Sequence, residues 1–283
     1  MQLPLDVFWS IFPPALNSAL ASIREAKLPA AAMGDERPDE IRLPLSMQDN
    51  GIAVVSLLGP MIRRGGWIAD LLGFASTDRV RMAVETAAKD LAVRQIVLRV
   101  DSPGGSVSGL AELGDAILAA REQKSVVAYV DGMAASAAYY AASQAEKIYA
   151  GRTDMVGSIG TILALYDDSK WFEANGIKPV MIATAEMKTA GYPGVEITDE
   201  MKAEFQRIVD FYFDDFLSVV ARGRGITKAQ AKANADGNIW GSAEAKERGL
   251  IDGIRKYGEA PGIKKAPQSR TRAKAAIMGA ITN

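Results

Sequence analysis

Apolar positions along this chain follow two periods that alternate at regular intervals. The run "GIAVVSLLG" (51–59), β-branched and bounded by glycines, reads as a strand. In the next stretch, "TDRVRMAVETAAKDLA" (77–92), Val80, Val84, Ala87 and Ala88 recur at helical spacing. Residues 95–100 form a second apolar strand ending at a Pro-Gly-Gly turn, 109–123 a helix, and 125–132 a third strand. "MAASAAYYAASQ" then reads as a helix and "KIYAG" as a short strand.

Beyond residue 158 the pattern predicts a strand near 159–165, a helix near 168–175 and a strand near 178–183. A long helix opens at "TDEMKAEF", with Met201, Phe205, Ile208, Tyr212, Phe216 and Val219 on one stripe. Thr227 and Gln230 have the spacing of a capping box. Strands alternating with helices at these intervals predict an α/β fold. Crossover units would build a mostly parallel sheet with flanking helices, buried on both faces.

The ends differ from this middle. Residues 1–50 read as a short docking helix followed by a Pro- and charge-rich linker over 29–50. Residues 51–258 carry the alternating elements, and 259–283 read as a basic, exposed tail. The apolar N-terminus lacks a basic flank, carries Asp6 and is interrupted by Pro13 and Pro14, so it suits neither a signal peptide nor a membrane anchor. A soluble protein of the cytoplasm is the expectation.

Composition narrows the chemistry. The 283 residues are 48% hydrophobic and 24% charged, with a formal net charge of −1, so no global field attracts nucleic acid or an anionic membrane. There is no Cys and no His. That excludes disulfides, thiolate catalysis, the usual zinc sites and any histidine-activated serine. Phosphate-loop and dinucleotide fingerprints are absent, as are the G-x-S-x-G elbow and a Ser with Lys three positions on.

Two features remain. "DSPGG" (101–105) sits at the C-terminal end of a predicted parallel strand, the edge where ligands bind in open α/β sheets. Its glycines, Gly104 and Gly105, could turn backbone N–H groups into a cleft as an oxyanion hole requires. The plainer alternative is a tight strand-to-helix turn. In "DGMAASAAYYAAS" (131–143), Ser136 falls early in a helix among alanines that leave room for a substrate backbone. A packing role among small residues is the alternative there. If Ser136 is a nucleophile, its base has to be Lys, Asp, Glu or a chain terminus. A lysine base needs a tight, mostly apolar setting that favours its neutral form. Lys188, amid small residues in "ATAEMKTAGYPG", suits this; Lys147 and Lys170 compete as surface charges. Spacing alone does not choose among them.

Taken together, "VDSPGGSV", "GMAASAAYYAAS", "KIYAGRTDMVGSIGTI", "EMKTAGYPG" and "GNIWGSAEAKERGLIDG" resemble, in order and spacing, the S49 peptidases of the ClpP/crotonase superfamily. That family includes signal peptide peptidase A and the head-maturation proteases of tailed phages and prophages. The resemblance runs from about residue 51 to about 256. It implies a Ser-Lys dyad of Ser136 and Lys188, with Ser158 orienting the lysine. It also implies an oxyanion hole from Gly104 or Gly105 with the Ala137 N–H, and no cofactor. Family members commonly read A-A-S-G-G-Y where this chain has A-A-S-A-A-Y, which implies a narrower pocket. The lysine segment is also poorer in glycine than usual. The expected absence of an anchor favours processing of a capsid or scaffold protein, as inside a phage prohead, over cleavage of signal peptides. The family assembles into rings or domes, so a homo-oligomer is expected. In some members neighbouring subunits complete the dyad. A crotonase-type acyl-CoA enzyme or an inactive scaffold subunit would keep the fold and lose the hydrolysis.

Overall fold

The β-branched runs do become the sheet. In the computed structural model, which describes residues 9–11, 42–66, 69–70 and 72–260, the central strands are β3 (Ile52–Leu58), β6 (Gln95–Ser102) and β8 (Ser125–Ala135). They lie side by side and parallel, with β3 on β6 and β6 on β8. Alternate residues divide between two faces. Ala53, Val55, Leu57, Ile96, Leu98, Val100, Val126, Ala128 and Val130 belong to the main core, with Val80, Val84, Leu113 and Ile117 of helices α1 (Thr77–Lys89) and α2 (Leu110–Gln123). Val54, Val97 and Tyr129 face a smaller cluster closed by Ala260 and Tyr257.

The strand β8 serves two neighbours on its other edge. Its first half pairs in parallel with β9 (Lys147–Ala150), its last residues with β10 (Met155–Gly157). The change of partner occurs at Gly132, whose φ of 130° only glycine adopts readily and where a Cβ would lie 2.5 Å from Asp101 Oδ1. β6 is irregular at the same level, between Val100 and Ser102. Antiparallel strands close the sheet, β2 (Leu45–Gln48) beside β3 and β11 (Ile239–Gly241) beside β10, and β12 (Gly253–Ile254) extends β9. A second sheet has the order β1 (Trp9–Ile11), β7 (Gly104–Ser106), β4 (Met61–Ile62), β5 (Ala75–Ser76).

Helix α3 (Ala137–Ala142) follows β8 directly, and α4 (Ser169–Ala174) lies on an outlying segment. Helix α5 (Asp199–Arg224) is capped by the Thr198 hydroxyl, which accepts from Met201 N, and ends at Gly225 in the left-handed conformation. Its stripe is buried at Met201, Phe216 and Val219 and half-buried at Phe205, Ile208 and Tyr212. The C-terminal half packs on α3. The Tyr140 hydroxyl donates to Asp215 at 2.8 Å, its ring lies 5.3 Å from that of Phe216, and Gln144 Nε2 donates to Val219 O at 2.9 Å. Burial and that hydrogen bond push the Tyr140 phenol up from its ordinary range. The capping box of Thr227 and Gln230 is present at the start of α6 (Lys228–Ala233), and α7 (Ser242–Glu247) follows β11.

The mostly parallel sheet and flanking helices are those read from the pattern, with four local corrections. The expected N-terminal helix is, at residues 9–11, the strand β1; residues 12–41 and the tail from 261 lie outside the described residues. The supposed linker holds β2, because Leu43 and Leu45 reach the core and the β3 edge supplies a ladder partner. No strand forms over 159–165, where the chain has just left β10 through a positive φ at Ser158. None forms over 178–183 either. Val180 and Ile182 are 82% and 98% exposed there, and β propensity without a paired neighbour makes no sheet.

Candidate active site

Among the described residues, two that are not glycine have positive φ, and both are serines: Ser136 (φ 54°) and Ser158 (φ 51°). Their strands explain why they come together. β8 and β10 run parallel in a register that sets Ala135 beside Gly157, so Ser136 and Ser158 are the next residue on each chain. Both lie at the C-terminal edge of the sheet. The Ser136 N–H donates to Gly157 O at 2.8 Å, and the Ser158 N–H donates to Asn238 O.

Ser136 stands between strand and helix with φ 54° and ψ −122°, capping α3 without a side-chain capping bond. Such a conformation costs a residue bearing a Cβ on the order of 1–3 kcal/mol and persists where the surroundings enforce it. It is the local device of a nucleophile elbow: a sharp strand-to-helix turn that aims a hydroxyl away from the sheet. Here the elbow is built without G-x-S-x-G, since Ala134, Ala135, Ala137 and Ala138 are all fully buried and small enough to let the turn close. The Ser136 hydroxyl reaches Gly160 O at 3.4 Å. As the first residue of α3, Ala137 has an N–H with no acceptor inside the helix.

Both serines line one cleft of about 360 Å³, with Ile159, Gly160, Thr161 and Ile162 on one side. The opposite wall is α5, through Gln206, Val209, Asp210 and Phe213; Ala235 and Gly237 close one end. Asp210 is the one charged side chain among these lining residues, and it accepts from Gln206 Nε2 at 2.7 Å. Sequence reading missed the α5 wall: the apolar stripe pointed to the core-facing side of that helix, and nothing local marked the side above the serines.

The glycine turn lies one strand away. Ser102 of β6 is level with Ala134 of β8, and two residues further on each chain lie Gly104 and Ser136. Gly104 has φ 92°, and its N–H donates to the Ser102 hydroxyl at 3.1 Å, a partner the sequence did not suggest. Gly105 packs so close to β4 that a Cβ would stand 2.0 Å from Met61 O. Neither glycine is among the residues lining the cleft.

Lys188 is elsewhere. It lies in a 3-10 turn, Glu186–Thr189, within a segment, 161–197, in which only Thr189, Gly194 and Ile197 are buried. Lys188 is exposed and does not line the serine cleft of its own chain. Of the competing lysines, Lys147 is paired with Asp252 at 3.1 Å and Lys170 lies on exposed α4. The structure thus brings Ser136 and Ser158 together, sets the glycine turn nearby and leaves Lys188 apart. Among the described residues no group of three carboxylates is arranged to hold a metal ion, and no helix is long and apolar enough to cross a membrane.

Residues 119–268, more than half of the chain, match the model of peptidase family S49. That span contains Ser136, Ser158 and Lys188. Capsid assembly protease C of Escherichia phage lambda is 28% identical over 239 residues, covering 84% of this chain and 54% of that protein. The head-tail preconnector protein of Enterobacteria phage P21 is 27% identical over 203 residues, 72% of this chain and 40% of its own length. Protease 4 of Salmonella typhi is 29% identical over 193 residues, with shares of 66% and 30%. The chain spans about half the length, or less, of these relatives.

Proposed function

The chain belongs to peptidase family S49, and from that premise we propose that it is a serine endopeptidase with Ser136 as nucleophile and Lys188 as general base. The observation that carries this reading is the strained elbow at Ser136, level with Ser158 at the edge of one cleft. The Ser136 hydroxyl attacks a scissile carbonyl, and neutral Lys188, oriented by Ser158, takes its proton. The oxyanion is held by the Ala137 N–H and a donor from the glycine turn, Gly104 or Gly105. Lys188 then protonates the leaving amine, and a water activated by the same lysine releases the acyl-enzyme.

Because Lys188 lies outside the cleft of its own chain, the reading assigns it to the cleft of a second copy. An exposed lysine gains the apolar cover that favours its neutral form only when something packs over it. Its segment carries the exposed side chains that such packing would bury: Tyr166 at 85%, Val180 at 82% and Ile182 at 98%. The substrate assigned is a capsid or scaffold protein. The support is the 84% coverage of this chain by the lambda capsid assembly protease.

Intact-mass spectrometry after fluorophosphonate treatment tests the dyad. One adduct is expected on the native chain, lost in Ser136→Ala and strongly slowed in Lys188→Ala. Full casein hydrolysis by Ser136→Ala would refute the assignment.

A further inference from the structure

The strand that bears the glycine turn has its two edges covered very differently. One edge of β7 is held by β4, within a sheet that β5 continues. The other is held by three residues from the far N-terminus, Trp9–Ile11, paired antiparallel as Trp9 with Ser106, Ser10 with Gly105 and Ile11 with Gly104. Gly104, Gly105 and Ser106 are all buried, so their main-chain polar groups need partners on both sides. Without β1 this edge is an open template for an extended chain.

The register also gives β1 a direction. Read from N to C, it passes Ser106, then Gly105, then Gly104. Gly104 and Ser136 are each two residues beyond the level pair Ser102 and Ala134. The occupant therefore runs toward the nucleophile elbow, and Ile11 is its residue nearest that level. Any extended polypeptide of the same polarity on this edge would deliver the carbonyls that follow to Ser136. Recognition through the main chain of two glycines and a serine reads strand shape rather than side chains, the mode of strand addition. The sequence after Ile11 is Phe12-Pro13-Pro14, and its prolines carry no N–H with which a ladder could continue. A three-residue ladder of this kind is displaceable, since each hydrogen bond contributes little net free energy.

We propose that Trp9–Ile11 is a built-in occupant of the substrate lane, and that the substrate docks by replacing it as an antiparallel strand on β7. This rests on the reading of Ser136 as nucleophile. It makes the N-terminus a competitive brake on the site and an extended, unfolded protein segment the substrate form.

The test uses the full-length chain with Ser10→Pro and, separately, the double change Trp9→Pro with Ile11→Pro. Hydrogen-bonded and non-bonded pairs alternate along an antiparallel ladder, so one variant or the other removes the donors. Fluorophosphonate labelling of Ser136 and casein hydrolysis are expected to rise about tenfold, as when a lane closed in roughly nine molecules of ten is opened. Hydrogen exchange at 104–106 should quicken in the same variant, and a synthetic peptide of residues 5–12 should reverse both effects. Unchanged exchange in both variants would overturn the proposal. So would lower activity with an unaltered thermal midpoint, because β1 would then support the site. Absence of Ser136 labelling in every form would sink the nucleophile reading, and with it the substrate half of the proposal.

Discussion

The sheet around Ser136 and the segment around Lys188 are held by different physics. Ser136 is fixed by its own chain: two parallel strands end at one level, fully buried alanines surround it, and a backbone hydrogen bond from its N–H ties it to Gly157. The segment 161–197 buries only Thr189, Gly194 and Ile197 and leaves Val180 and Ile182 in solvent. One region can hold a strained conformation because packing overdetermines it. The other buries only three residues and has no core of its own to fix its surroundings. Under the proposed dyad, with the nucleophile on the first region and its base on the second, catalysis would be conditional on assembly.

The largest expected effect breaks this comparison directly. Ser136→Ala and Lys188→Ala should each lower peptidase activity about a thousandfold or more. If the dyad forms between copies, mixed oligomers of the two variants should recover activity that neither has alone. Recovery after co-refolding checks this, and none on verified mixed oligomers would place the base within one chain.

Next in size is a tie inside the rigid region. Asp252 accepts from Arg224 Nη1 at 2.8 Å, from Ile148 N at 2.9 Å and from Lys147 Nζ at 3.1 Å, joining the end of α5 to β9. Burial raises its carboxyl, but the bonds from Arg224, Ile148 and Lys147 outweigh it and hold the group below the usual carboxylate range. With the folded value depressed, the stabilisation is full at neutral pH and is lost as pH falls below about 4. Asp252→Asn should cost about 2 kcal/mol at pH 7 and flatten this acid loss, measured by urea unfolding at pH 7 and at about pH 3.

A smaller effect has the opposite sign. Ser136→Gly should be inactive yet more stable by about 1 kcal/mol, because glycine adopts φ 54° without strain. A destabilised Ser136→Gly chain would show that the elbow stores no strain. The smallest effect on stability belongs to the exposed segment. Ile182→Asp should change the unfolding free energy by less than about 0.5 kcal/mol, as surface substitutions do. It should still weaken self-association in sedimentation and lower activity with it. Unchanged association would remove that surface from the interface.

Much of this was legible before any coordinates. The parallel strands, the crossover helices and the capping box of Thr227 followed from period and spacing, because burial imposes those periods on the sequence. A chain without histidine leaves lysine among the candidate bases, and the order of the motifs points to Ser136, Ser158 and Lys188 together. The failures share one cause. β1, β2 and the absent strands at 159–165 and 178–183 depend on whether an edge elsewhere is free, and no local pattern records that. Val180 and Ile182 look like a strand and lack a neighbour, whereas Leu45–Gln48 looks like linker and has one.

Fold class, family and the chemistry open to a chain without histidine or cysteine are written in residue types and short-range order. That two serines share one edge, that α5 walls their cleft, that β1 lies along the glycine strand and that Lys188 stands apart emerges only from the folded chain. Those are matters of register and pairing across long stretches of chain. They are settled by which buried backbone groups find partners once the core has closed.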